Sequence, residues 1–196
     1  MTQGARMFST DIRKAWRRAP VLSAGSPGWN YLTRMRRVPA FSVNNALFGG
    51  GLREGDDGTI WAMHQGARGE ITGWEMRGPR HNGFSSHAGK SLFRVGEHIR
   101  TTRIAVTESV IDALSLASIE GWQVGTLYAS TGGGITPATR GALQVLLSAQ
   151  VQLVWASQGE EAEVSAAGLQ ALAAECGSAF SRLRPDARSW NRQLAG

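Results

Sequence analysis

Apolar and polar positions follow three different rhythms along the chain. In residues 9–19, Ile12, Ala15, Trp16 and Ala19 recur at helical spacing. Ser9 or Thr10 stands where an N-cap belongs and Pro20 stops the run, so a helix is predicted. Ser26-Pro27, followed by Trp29, Tyr31, Leu32 and Met35, predicts a second short helix with proline at its first position, closed by Pro39. Over residues 41–103 the period shortens to two. Ile60 and Ala62 alternate with Trp61 and Met63 in a strand at 59–64. Strands at 70–77 and 91–95, a turn at 66–69 and a loop at Gly49-Gly50-Gly51 complete a small antiparallel sheet.

From Arg103 strands and helices alternate. Strands are predicted at 103–107, 123–129, 151–156 and 179–183, and helices at 110–119, 137–147 and 160–176. Such alternation predicts a parallel sheet flanked by helices. The expected class is therefore α/β, with a small mixed or antiparallel N-terminal region ahead of a parallel sheet. Three segments follow: a helical lead-in at 1–40, an antiparallel β-rich domain at 41–102 and an α/β domain at 103–196. Val154 should be buried between helix layers, and Trp155 at least half covered.

Charge sharpens this division. The chain of 196 residues has a formal net charge of +6. Residues 1–40 hold eight basic residues and one acid, whereas residues 104–196 hold five and eight. Arginine outnumbers lysine 19 to two, and its planar fork suits phosphate. A basic front beside Trp16, Trp29 and Tyr31 fits a nucleic-acid surface, and equally a solvated helix face. Arg13, Lys14, Arg17, Arg18, Arg34, Arg36, Arg37 and Lys90 are the candidate phosphate contacts. No apolar run reaches membrane-spanning length. Charged residues interrupt the N-terminal segment, so a cytoplasmic location without membrane contact is expected. Cys176 is the single cysteine, which excludes an intrachain disulfide and a paired-cysteine zinc site. His64, His81, His87 and His98 lack metal-ligand spacing. Gly83 to Gly89-Lys90-Ser91 leads into a strand, the wrong context for a phosphate loop.

In an open parallel sheet, functional groups gather at the C-terminal ends of strands. Three such ends carry candidates: Glu108; the loop Gly132, Gly133 and Gly134; and the segment from Gln158 to Glu161. Acids at adjacent strand ends can share magnesium. Acids at helix N-termini also stabilise helices with no further role.

Val106-Thr107-Glu108-Ser109-Val110-Ile111-Asp112-Ala113-Leu114 resembles the first motif of Toprim domains, a strand-ending Glu followed by an E-x-x-x-D-A-L helix. Ala129-Ser130-Thr131-Gly132-Gly133 resembles their second strand and glycine loop. Leu153 to Ala162 stands where the family carries A-L-D-x-D-x-A-G, and Pro185 to Leu194, with Trp190-Asn191, resembles its closing P-x-G-K-D-W-N-x-x-L. Gly69 to Gly78, with Gly83-Phe84 and Gly89 to Phe93, resembles the small domain that precedes Toprim in primase-like proteins of plasmids, phages and other mobile elements.

The resemblance implies a primase-like protein in which Glu108 acts as general acid or base and paired aspartates hold magnesium. The chain departs from that pattern. Gln158 and Ser189 replace expected aspartates, Glu160 stands at the second aspartate position, and Glu163 replaces a glycine. Losing carboxylates weakens a magnesium site, which demands compact octahedral geometry. The expectation is a degenerate Toprim protein that binds nucleic acid or a protein partner without a cofactor. The alternatives are a minimal magnesium-dependent primase or nuclease using Glu108 and Glu160, and an accessory or inhibitor subunit.

Overall fold

The computed structural model describes residues 12–85 and 89–196, apart from the side chains of Glu160 and Glu161. The expected caps Ser9 and Thr10, and His87, lie outside the described residues. Helix α1 (residues 12–18) buries Trp16 and ends before Pro20. Helix α2 (Pro27–Asn30) is capped by Ser26, whose hydroxyl accepts from the Trp29 N–H, and runs into a π-helical turn, Tyr31–Met35. Helix α3 (Ala40–Phe48) occupies a stretch for which the sequence predicted no helix. Ser42, Asn44 and Asn45 are weak helix formers, but Val43 and Ala46, three positions apart, are fully buried. Tertiary burial decides this segment.

The described strands are β1 (Leu52–Glu54), β2 (Ile60–Gln65), β3 (Ile71–Arg77), β4 (Asn82–Phe84), β5 (Leu92–Gly96), β6 (Arg103–Thr107), β7 (Thr126–Ser130), β8 (Gln152–Trp155) and β9 (Phe180–Arg182). They form one sheet in the order β4-β3-β2-β5-β7-β6-β8-β9, with β1 beside β2. Strands β7, β6, β8 and β9 are parallel. Strand β5 runs antiparallel to β7, so the predicted antiparallel region and the parallel sheet are continuous. Strand β7 starts later than predicted because Trp122, at φ 56°, and Gly125, at φ 75°, turn the chain first.

Helix α4 (Val110–Ile119) crosses from β6 to β7, α5 (Pro137–Gln144) follows β7, and α6 (Glu160–Glu175) links β8 to β9. A last helix, α7 (Trp190–Ala195), packs on α4. One hydrophobic cluster joins Tyr31, Leu32, Val43, Leu114 and Trp190 on the α3/α4 face. A second joins Ala142, Leu143, Trp155, Leu169 and Leu172 under α5 and α6. Val154 faces the first and Trp155 the second, exposed to 3% and 0%, as expected for a strand covered on both faces.

Candidate nucleic-acid interface

The C-terminal ends of β6, β7 and β8 meet at one edge. The Gly133 N–H donates to the Glu108 carbonyl at 2.9 Å, and the Thr131 N–H donates to the Thr107 carbonyl at 3.0 Å. Gly132, Gly133 and Gly134 have φ of 67°, 90° and 76°, a left-handed run that other residues adopt only with strain. At Gly132 a Cβ would also lie 3.0 Å from His64 Cε1. The loop therefore needs glycine for both conformation and space.

Glu108, Gln158 and Ser189, three of the positions singled out in sequence, line one small cleft with Asp112, Arg188 and Trp190. Asp112, Gln158 and Ser189 each have a local partner. The Asp112 carboxylate accepts from the Ser109 hydroxyl at 2.7 Å and from the Asn191 N–H at 3.1 Å. Gln158 Nε2 donates to the Ala187 carbonyl at 2.6 Å. Ser189 Oγ caps α7 by accepting from the Arg192 N–H at 3.2 Å. Glu160 opens α6 after Gly159, and its side chain lies outside the described residues. Glu163 is held by Arg182 and Arg184. The hydrogen bonds from Arg182 hold its carboxyl below the ordinary value of 4.5.

These side chains fit magnesium poorly. The described acids lining the cleft are Glu108 and Asp112; Asp112 is engaged through both oxygens, Gln158 and Ser189 bring no charge, and Arg188 adds a cation. Among the described residues, no group of three or more His, Cys, Asp and Glu side chains could hold a metal.

A second polar cleft, of about 140 Å³, shares Asp112 and Ser189 with the first. Three arginines line it, Arg36, Arg77 and Arg192, with Asn82, Ser109 and Asn191. Arg36 is fixed by its Nε donating to the Tyr31 hydroxyl at 2.9 Å, with its guanidinium over the Tyr31 ring. The Arg36 carbonyl in turn accepts from Asn191 Nδ2 at 2.7 Å. Arg77 is fixed by Nε donating to Glu75 at 2.5 Å.

Of the other predicted contacts, Arg13, Lys14, Arg17, Arg18 and Arg34 are exposed. Arg37, at φ 56°, donates to the Ala195 carbonyl at 2.6 Å. Lys90 Nζ reaches the Gly133 carbonyl at 3.4 Å. Sequence reasoning missed Arg77, Arg192 and Glu75. The available signal was hairpin register: Glu75 pairs with Ala62 and Arg77 with Ile60, so both stand on the inward face of β3.

A family described as a protein of unknown function (DUF3991) matches residues 30–100, and no curated protein matches the chain. Among solved structures, a DnaG primase catalytic domain bound to single-stranded DNA superposes with a TM-score of 0.62 at 12% identity, over 97% of this chain and 77% of that one. The RNA polymerase domain of Mycobacterium tuberculosis primase DnaG gives 0.58 at 13%, over 97% and 81%. The primase fragment of the bacteriophage T7 primase-helicase gives 0.53 at 19%, over 91% and 78%. At these identities the likeness is one of architecture: the chain has the mixed α/β fold of primase catalytic cores.

Proposed function

We propose that this chain is a primase-like, degenerate Toprim protein of a mobile element that binds nucleic acid at the C-terminal edge of its parallel strands without metal-dependent catalysis. The carrying observation is the convergence of Arg36, Arg77 and Arg192 on one polar cleft beside Glu108. Two of the three guanidinium groups are held in place through Nε. Such fixed forks match phosphate oxygens at a low entropic cost of ordering. The Ser109 and Asn82 side chains add uncharged polar groups to the same cleft. A primase domain of this fold bound to single-stranded DNA supports the choice of ligand, as do the exposed cations of α1. The substitutions at Gln158 and Ser189 support the loss of metal chemistry.

One observation favours a second reading, a minimal magnesium-dependent primase or nuclease. Glu108 follows β6 and Glu160 follows β8, and these strands are adjacent and parallel.

Fluorescence anisotropy with labelled single-stranded DNA and RNA, titrated across salt concentrations, tests the first reading. Binding should weaken steeply with salt. Arg36→Ala and Arg192→Ala should each lower the log–log slope by about 0.7–0.9, one phosphate contact apiece. An absence of binding at low salt would favour a protein-interaction subunit instead. Millimolar magnesium should raise the melting temperature by under about 1–2 °C, as expected for a cation near or below its dissociation constant. A larger rise, abolished by Glu108→Gln, would establish the second reading.

A further inference from the structure

We infer that Glu75 is a positioning residue: from beneath the arginine cleft it fixes Arg77 for phosphate and ties that arginine to the N-terminus of α4. The inference rests on the nucleic-acid reading above.

Glu75 is completely buried in the middle of β3. A carboxylate there persists only if its oxygens are satisfied, and its partners come from three separate elements. Oε1 accepts from Arg77 Nε on the same strand, two residues on and therefore on the same face. Oε2 accepts from the Ser130 hydroxyl at the end of β7 at 2.9 Å. The Val110 N–H, at the first turn of α4, lies 3.1 Å from Oε2 and 3.3 Å from Oε1. The His64 imidazole lies 3.9 Å away, beyond hydrogen-bond reach, and neither ring nitrogen has a hydrogen-bond partner in the structure.

This arrangement has a directional consequence. Arg77 is anchored through Nε, and its guanidinium lines the cleft. The Glu75 charge sits behind it, shielded from solvent, and offsets repulsion from Arg36 and Arg192 without facing the bound anion. The same carboxylate meets the positive end of α4, directly after Glu108 and Ser109, which line the two adjoining clefts. One buried charge therefore sets the arginine and the strand-end wall together.

The test measures oligonucleotide affinity and its salt slope for four proteins: Glu75→Gln, Arg77→Gln, the double variant and Ser130→Ala. Ser130→Ala removes a hydrogen bond to the same carboxylate that bypasses Arg77. The double variant removes both charges and leaves neither partner stranded. Expected are a loss of roughly tenfold in affinity for Glu75→Gln and a slope lower by about 0.7–0.9. Arg77→Gln should match this, the double variant should be no worse, and Ser130→Ala should keep the wild-type slope. If Glu75→Gln fails to fold, Glu75→Asp carries the test, with an intermediate slope expected and a wild-type slope counting against the proposal. Weak binding by Arg77→Gln with wild-type binding by Glu75→Gln would make Glu75 purely structural. A silent Arg77→Gln in a protein that binds would overturn the inference and spare the reading. Absence of binding by the wild type would remove both.

Discussion

Glu75 shows how one residue can be ordinary in sequence and decisive in the fold. Burial alone pushes its carboxyl up, and the neighbouring His64 imidazole and Arg77 guanidinium outweigh burial and hold it below the ordinary 4.5. A group whose folded value is depressed adds stability that is present above its unfolded value and lost as pH falls through the folded one. Melting temperature should therefore drop as pH falls below about 4.5, and Glu75→Gln should flatten part of that drop. At neutral pH the same variant should cost roughly 1.5–3 kcal/mol, the range for hydrogen bonds to a charged group. Thermal melts from pH 7 to pH 3 would check both effects. A profile that Glu75→Gln leaves unchanged would mean that this carboxyl titrates alike in the folded and unfolded chain. Glu163 is also depressed, by hydrogen bonds from Arg182; its pair is exposed to solvent, where such bridges contribute little.

Among the elements, α7 explains the Trp-Asn pair of the closing motif. Trp190 Nε1 donates to the Ala156 carbonyl beyond β8 at 2.8 Å. Asn191 Nδ2 donates to the Arg36 carbonyl and to the Ser115 hydroxyl of α4. A six-residue helix thus clamps the lead-in, α4 and the sheet edge together, and it holds Arg36 beside Arg192. Asn191→Ala should cost about 1–3 kcal/mol, because it strands the buried Ser115 hydroxyl and the Arg36 carbonyl. Urea denaturation would measure that cost. A loss within experimental error would show that α7 is held by Trp190 and the apolar contacts alone.

For the whole molecule, the cations of α1 are distinct from the arginines that line the sheet-edge cleft. Helix α1 docks through Trp16, whose ring centroid lies 6.0 Å from that of Trp74, and Trp74 stacks on Trp61 at 4.6 Å. Its cations point outward: Arg13, Lys14, Arg17 and Arg18 are all exposed. Replacing the four with Ala should flatten the salt dependence of oligonucleotide binding while leaving stability within about 0.5 kcal/mol. If binding is unaffected while Arg36→Ala abolishes it, the ligand is confined to the sheet edge.

Periodicity in the sequence determined most of the elements. Period-two alternation marked β2, and the strand–helix alternation after Arg103 marked the parallel sheet, because spacing along one element dictates which face each side chain takes. The Toprim-like motifs likewise located Glu108 and Gln158, after the ends of β6 and β8, and Ser189, at the start of α7, and these three do share a cleft. Where burial overrode propensity, local pattern failed, and α3 was invisible among serine and asparagine. The closing helix was also missed as a helix, since it is short and is held by contacts remote in sequence. Only the tertiary structure brought Arg36, Arg77 and Arg192 into one cleft and set Glu75 beneath it. Their meeting depends on strand pairing across β2, β3, β5 and β7 and on the docking of α7. Such long-range convergence leaves no periodic trace in the chain, so arginines that read as scattered surface charge come together only once the sheet is assembled.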